Sequence, residues 1–327
     1  MKIAIAITLG TALAAGLSAG ARSFGFSPQN LTLSPWPNGL HVQTWNNGLL
    51  ENKSHVRNSG APAQLELWNF SGRVRLANTG KYSPTAAYHS LYLGLGLGLD
   101  SNPPLLPHQL VNDALSVGMP LGEFAGWGFG VSVGAGYAGN SPFNDPHAVY
   151  GMARVSAQHR LSRRNQLDVF LDYNGNRQLL PDAPLPALEI QHKQPHLRWM
   201  LGFPDEDIRW RPLPRLVIHV DYQPVVSGEA DIDYRLLRWL HVFGKFESSS
   251  WAFHLDYYSS TQRLFFAMSR IEGGVRFFAW RKRLAVEVGG GYAFNQALSE
   301  GYDARDEQPV SQIANSAFAL VTLAVRF

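Results

Sequence analysis

The 327-residue sequence contains no cysteine. That excludes disulfides, thiolate metal sites and a lipid-modified N-terminal cysteine. It suits an oxidising envelope compartment without requiring one. Charge is scarce as well. Asp, Glu, Lys and Arg make up 16% of the chain, against about 25% in ordinary soluble domains. The formal net charge is only +3 and no dense basic tract accompanies it, so nucleic acid is not an expected partner. Long apolar runs are missing after Leu17. No later window holds the ~20 apolar residues of a transmembrane helix. Without such a helix, a membrane-spanning chain must be a closed barrel, because only helices and closed barrels satisfy every backbone polar group in lipid.

The N-terminus reads as an export signal. Lys2 supplies the positive start, Ile3 to Leu17 are almost all Ile, Ala, Leu, Thr or Gly, and Ala19-Gly20-Ala21 offers a small-residue cleavage site. Residues 1–21 are therefore the expected signal peptide, with a mature chain from near Arg22. Residues 22–62 hold Pro28, Pro35, Pro37 and Pro62 and the stretch SPWPNGL. That density of breakers predicts an irregular periplasmic lead-in or a partial plug, the lead-in being the preferred reading. His41 to Leu50 is a candidate short strand within it.

What the sequence has in abundance is glycine, with 31 residues, and aromatics, at 12%. Both fall into period-2 patterns. In YHSLYLGLGLGLD, Leu91, Leu93, Leu95, Leu97 and Leu99 alternate with Tyr92, Gly94, Gly96 and Gly98. In the next such stretch Trp127, Phe129, Val131, Val133, Ala135 and Tyr137 alternate with glycines and Ser132. An apolar face opposite a glycine face predicts a wall with lipid outside and a small-residue lumen inside, with Trp127 and Tyr137 in aromatic girdles. Between Leu65-Leu67 and Val74-Leu76 the apolar phase slips, which predicts a bulge near Gly72. Later segments alternate apolar residues with charge. Leu167, Val169, Leu171 and Tyr173 are expected to face out, opposite Asp168, Phe170 and Asp172. Ile218, Val220 and Tyr222 likewise oppose His219 and Asp221. Phe253, Leu255 and Tyr257 oppose His254, Asp256 and Tyr258.

Connections alternate in length. Arg281–Arg283, Leu161–Arg164 and Ser248–Ser250 read as short periplasmic turns. Residues 100–108, 139–147, 259–267 and 296–315 read as longer extracellular loops. The proline-rich segment 175–213, with PDEDIRWRP, resists assignment as strands or loop. The reading is an all-β chain: a single antiparallel up-and-down transmembrane β-barrel over 63–327, of about 12 or 14 strands within a range of about 12 to 16.

The last twelve residues, SAFALVTLAVRF, put Ala319, Val321, Leu323, Val325 and Phe327 on one strand face. Phe318 and Leu320 break the polarity of the other face. This terminal strand resembles the closing strand of Gram-negative outer-membrane β-barrel proteins. More narrowly, Leu65 to Leu298 is similar to a family of envelope barrels with no assigned function. The similarity is carried by VYGMARVSAQHRLSRRNQLDVFLDYN, HVFGKFESSSWAFHLDY and RIEGGVRFFAWRKRLAVEVGGGYAFN. It implies an outer-membrane location, lipid contact, and recognition of the closing strand, at Val325 and Phe327, by the barrel-assembly machinery. It transfers no catalytic residue.

The functional expectation is a channel or transporter for a small solute with a glycine-lined and partly charged lumen, and not an enzyme. A structural or surface-interaction barrel with a plugged lumen is the alternative, and a membrane-embedded lipid-acting enzyme the third reading. No cofactor or metal is expected. His219-x-Asp221 and His254-x-Asp256 have metal-compatible chemistry, but a polar network filling the lumen explains them better. The lumen-lining candidates are His219, Asp221, Asp231, Asp233, Arg235, His254, Asp256, Glu272, Arg276 and Glu287.

Overall fold

The structure, a computed structural model, describes residues 28–37, 39–57, 59–79, 83–96, 106–224 and 226–327. The expected signal peptide, and the expected phase of Leu97, Gly98 and Leu99, lie outside the described residues.

The wall comprises β1 (Val42–Glu51), β2 (Leu65–Arg75), β3 (Thr85–Leu95), β4 (Gln109–Phe124), β5 (Trp127–Gly139) and β6 (Val149–Arg160). It continues through β7 (Asn165–Asn174), β8 (Leu185–Lys193), β9 (Leu197–Phe203), β10 (Glu206–Leu213) and β11 (Leu216–Gln223). It finishes with β12 (Ser227–Arg235), β13 (Leu240–Phe253), β14 (Arg263–Ala279), β15 (Leu284–Gly301) and β16 (Ser316–Arg326). Every neighbour pair is antiparallel. Closure is made at β1, which pairs Leu49 with Leu67 of β2 on one side and with Leu320 of β16 on the other. The Phe327 amide adds a bond to the Val42 carbonyl at 2.9 Å. No sheet edge is left in the ring, so all strands pair on both sides.

The closed ring has 16 strands, with the short strand Gln308–Ile313 set beside β15 as an extra. The expectation of 12 or 14 is thus corrected. Segment 175–213 contributes β8, β9 and β10, and the supposed lead-in contributes β1. Proline hid three of these strands. Pro186 lies within β8 and Pro212 within β10, while Pro204 lies in the tight connection between β9 and β10. Ser248–Ser250 is no turn but the middle of β13; the turn lies at 236–239. Short connections at one end (125–126, 161–164, 194–196, 214–215, 236–239, 280–283) define a turn end. Those at the other (52–64, 96–108, 140–148, 175–184, 254–262, 302–315) define a loop end, with only 204–205 and 224–226 short there.

Outward residues are apolar around the ring. Leu115, Val133, Val155, Leu171, Leu188, Ile232, Ile271, Val288 and Val321 are all exposed. Phe124, Trp239 and Trp280 are exposed near the turn end. Tyr137, expected in a girdle, is instead buried under Phe143, at 5.1 Å between ring centroids.

The interior explains where the period-2 reading failed. In β3 it is Leu91, Leu93 and Leu95 that point inward and are buried; Tyr92 and Gly94 lie on the opposite phase. The glycine lining holds for β5, where Gly130 and Ser132 are buried beneath exposed Phe129 and Val133. It does not hold for β3. In β2 the register runs unbroken through Gly72 against both neighbours, so no bulge exists. Leu65 and Leu67 point in at the loop half, and Ser71 and Arg73 point in at the turn half. β16 does the same with Phe318 and Leu320, then Thr322 and Arg326. The inner face changes from apolar to polar along the barrel axis while the backbone alternation stays constant. The slip seen in the sequence is this change of lining.

Helix α1 (Pro28–Leu33) and the following residues lie inside the ring, packed on β2 to β6. Their polar groups are tied to the wall. Thr32 Oγ1 donates to Ser132 Oγ at 2.8 Å, Trp36 Nε1 to Thr85 Oγ1 at 2.8 Å, and Gln29 Nε2 to Asp172 Oδ1 at 2.5 Å. Arg73 donates to the carbonyls of Leu31, Ser34 and Pro35, and its guanidinium lies 4.2 Å from the Trp36 ring centroid. Gly118 makes the fit possible, because a Cβ there would stand 2.4 Å from Thr32 Oγ1.

Candidate solute path through the barrel

Four layers occupy the lumen, the mouth and an apolar constriction in the loop half and, side by side in the turn half, a charged belt and α1. At the loop end the mouth is drawn shut. β13 runs on past Phe253 and crosses to the opposite wall, where the His254 amide bonds the Ala138 carbonyl at 2.8 Å. His254 Nδ1 lies 3.0 Å from Asp145 Oδ2, and Asn140 Nδ2 donates to Asp256 Oδ1 at 3.0 Å. Loop 175–184 folds in from another side. Asn176 Nδ2 donates to the Ala252 carbonyl at 3.1 Å, and Gln178 Nε2 to the Ser250 carbonyl. Loop 302–315 meets it. The Ala304 amide bonds the Gln178 carbonyl at 2.9 Å, and Asp303 Oδ2 accepts from the Leu180 amide at 3.3 Å. Hydrogen bonds from Arg305 hold the Asp303 carboxyl down at about 2. In loop 254–262, burial and Glu300 push the Tyr258 phenol above its usual range.

Beneath the mouth is an apolar constriction. Leu49, Leu67, Leu91, Leu93 and Leu110 from β1 to β4 join one buried cluster with Phe253, Leu264 and Phe266 from β13 and β14. Trp251 stacks on Phe266 at 5.8 Å and 12°. Each such side chain contributes about 1.5–3 kcal/mol through burial. These residues come from walls that face each other, so the cluster crosses the lumen.

The third layer is charged and sits on β10 to β15. Cross-strand neighbours bring the charges together, since register sets His219 opposite Asp231, Lys245 opposite Glu272 and Arg276 opposite Glu287. Arg276 bridges Asp233 Oδ2 at 2.5 Å and Glu287 Oε1 at 2.6 Å; Asp233 Oδ1 also meets His241 Nδ1 at 2.7 Å. Lys245 contacts Glu247 at 2.8 Å, Glu229 at 3.4 Å and Glu272 at 3.5 Å. Arg270, with no exposed surface, reaches Glu247 at 2.8 Å and Glu272 at 3.3 Å. His219 Nε2 lies 2.7 Å from Asp207 Oδ2, and Asp207, His219 and Asp221 together place donor atoms within 4.8 Å of one another. The fourth layer, packed against β2 to β6 with the Gln29 bond to Asp172 of β7, is α1.

Eight of the ten lining candidates therefore have clear placements relative to this belt. His219, Asp221, Asp231, Asp233, Glu272, Arg276 and Glu287 are buried on the inner face. Arg235 is at the turn-end rim, donating to the Pro214 carbonyl at 3.2 Å. His254 and Asp256 are in the mouth crossing, far along the chain from any wall partner of His219, and the two His-x-Asp pairs do not meet. Phe253 and Leu255, expected outside, are buried: Phe253 pairs with Leu264 on the inward phase of β13 that carries Lys245 and Glu247, and Leu255 lies beyond the strand's end in the mouth crossing. Val325 and Phe327 lie at the turn end beside β1. Sequence reading missed Asp207, Glu229, His241, Lys245, Glu247 and Arg270. Arg270 and Lys245 were legible, since they share phase with Glu272 and Glu247 on their strands. Asp207 was not, because its strand went unrecognised among prolines.

The closed ring and its apolar outside make this chain a β-barrel of the outer-membrane architecture. No protein-family model matches the sequence, and no curated protein matches it. Among solved structures it is similar to a deletion mutant of the TodX monoaromatic hydrocarbon channel, at 12% identity and TM-score 0.42, covering 92% of this chain and 93% of that one. A bacterial polysaccharide outer-membrane secretin aligns at 9% identity and TM-score 0.40, covering 88% and 98%. The outer-membrane protein OpdK of Pseudomonas aeruginosa aligns at 9% identity and TM-score 0.34, covering 89% and 100%. The assignment of architecture rests on the hydrogen-bonded ring itself.

Proposed function

We propose that this protein is a bacterial outer-membrane channel for a small solute, held closed by its own N-terminal segment and loop-end crossings. The observation that carries this reading is the attachment of α1. The plug is bound to the wall by side-chain hydrogen bonds to Arg73, Thr85, Ser132 and Asp172, through polar groups that water can replace. Leu31 and Trp36 of the same segment are buried beside these tethers. The turn end faces the periplasm in this reading, the loop end faces outward, and export depends on the N-terminal signal.

The test is conductance in planar bilayers. Intact protein gives small or rare openings. Removal of residues 28–37, or Gly118→Leu, which drives a side chain into Thr32, gives larger and more frequent ones. Variants that migrate as folded barrels yet conduct no more than the intact chain would count against a channel.

One observation favours a second reading, a permanently filled structural barrel. The apolar cluster joins facing walls, and opening it exposes Leu and Phe side chains to water. Silence of both intact and plug-deleted protein selects that reading.

A further inference from the structure

We propose a binding site for a phosphate-type oxyanion at the turn end of the lumen, formed by β9, β10, the end of β12 and the turn 280–283. Its distinguishing feature is a group of cations on the inner face. Register sets Arg198 of β9 directly opposite Arg209 of β10, and Arg209 opposite His219 of β11. His219 in turn stands opposite buried Asp231, whereas Ile208 and Trp210 are exposed on the outer phase. Like charges set directly opposite each other on neighbouring strands are destabilising. Arg211 follows Arg209 on its phase, and Arg235 follows Asp231 and Asp233 on theirs. The Arg211 charge acts on both Arg209 and Lys282, and the Arg235 charge acts on Lys282. Burial, and then Arg235, hold the Lys282 amine below its ordinary value.

The nearby carboxylates do not balance this charge. Asp233 already holds His241 and Arg276, at 2.7 and 2.5 Å, and Asp207 Oδ2 lies 2.7 Å from His219. Among the described residues, Arg211, Arg235 and Lys282 enter no salt bridge. The cations are also within reach of solvent. Arg198 is exposed, Arg209, Arg211, Arg235 and Lys282 are half-buried, and α1 packs on the other side of the ring. A bound oxyanion relieves the repulsion among them. Guanidinium groups present planar forks to phosphate oxygens, and the Lys282 ammonium adds a point charge. A cationic solute is repelled here, and an uncharged one leaves the repulsion in place. A free phosphate and a phospholipid headgroup share this chemistry; the inward phase of Arg198, Arg209 and Arg235 favours the free ion. The site requires only the closed ring, so it goes beyond the channel reading, in which it would face the periplasm.

The experiment is calorimetric titration of the full-length protein, folded in an uncharged detergent at fixed ionic strength. The probes are sodium phosphate and the short-chain lipid dihexanoylphosphatidylglycerol, with glycerol as the contrast. The expected result is saturable binding of phosphate and none of glycerol. Arg211→Gln and Lys282→Gln each weaken it about tenfold, as loss of one charge-assisted hydrogen bond requires. Arg163→Gln, the same change of charge in the turn 161–164, leaves it unaltered. Phosphate also raises the urea midpoint of the wild type and raises that of Arg211→Gln less. Heat-modifiable migration of each variant establishes that it is folded. Saturable binding of the lipid without phosphate assigns the site to a headgroup and upholds its chemistry. Absence of saturable binding of either probe by folded wild-type protein overturns the proposal. So does binding that Arg211→Gln and Lys282→Gln both leave unchanged, or that Arg163→Gln weakens equally. Phosphate binding by a barrel that never conducts would leave this inference standing and remove the channel.

Discussion

The backbone amide of His254 donates to the carbonyl of Ala138 at 2.8 Å, although β13 and β5 stand diametrically opposite in the ring. At the loop end β13 comes within 8 Å of β4 and β5 between Cα atoms. There Phe253 joins the leucines of β1 to β4 in one buried cluster, so the inner face of those strands is apolar.

The pin between the two loops at the mouth should release at acid pH. Asp303 accepts from Arg305 and from the Leu180 amide, and its carboxyl is held at about 2 from an ordinary value of 3.8. A depressed acid contributes stability that is complete above its unfolded value and is lost as pH falls through its folded one. Exchange protection of the Leu180 and Ala304 amides is expected to hold at pH 5 and to fall between about pH 4 and pH 2. Asp303→Asn should remove the pH dependence. Protection that is flat over that window in the wild type would show that Asp303 does not hold the loop.

Arg270 is buried against Glu247 and Glu272. Arg270→Met leaves Glu247 and Glu272 with Lys245 as their shared cation and removes the closest partner of the buried pair, which should cost about 3–5 kcal/mol. The double change Arg270→Met with Glu247→Gln should recover part of the loss. Urea or guanidinium unfolding in detergent measures both. A cost below about 1 kcal/mol, the range of surface pairs, would show that water reaches this layer freely.

The outer face of β16 offers a test of the lipid contact. Val321 points outward and is 53% exposed. Val321→Arg should destabilise the folded barrel in vesicles by about 2–4 kcal/mol if it sits at the bilayer midplane. The same change should cost little in a water-facing position. Reversible folding into vesicles reads the difference, and an unchanged midpoint would move Val321 out of the lipid.

Phe327 closes the seam, its amide and carbonyl both bonded to the start of β1. Deleting it should lower the amount of folded barrel in outer-membrane fractions several-fold while export of the chain continues, as followed by signal cleavage and fractionation. Normal assembly without Phe327 would separate the closing residue from recognition by the assembly machinery.

The sequence by itself determined most of the strands, the antiparallel order, the contrast of short turns with long loops and the apolar outer face of the later strands. These follow from period-2 alternation and turn chemistry, which are local. It also marked Asp233, Glu272, Arg276 and Glu287 for the inner face, because charge cannot sit in an apolar belt. It did not determine the strand number, since Pro186 and Pro212 masked β8 and β10, nor the inward direction of Leu91, Leu93 and Leu95. Alternation fixes two faces without saying which is inside. Only the tertiary structure decides that, because a leucine is as stable against a facing wall as against lipid. At the loop half of this barrel the facing wall is within reach; at the turn half α1 and the charged belt take its place. The closed mouth and the plug arise from contacts between segments far apart in the chain, which no local pattern encodes.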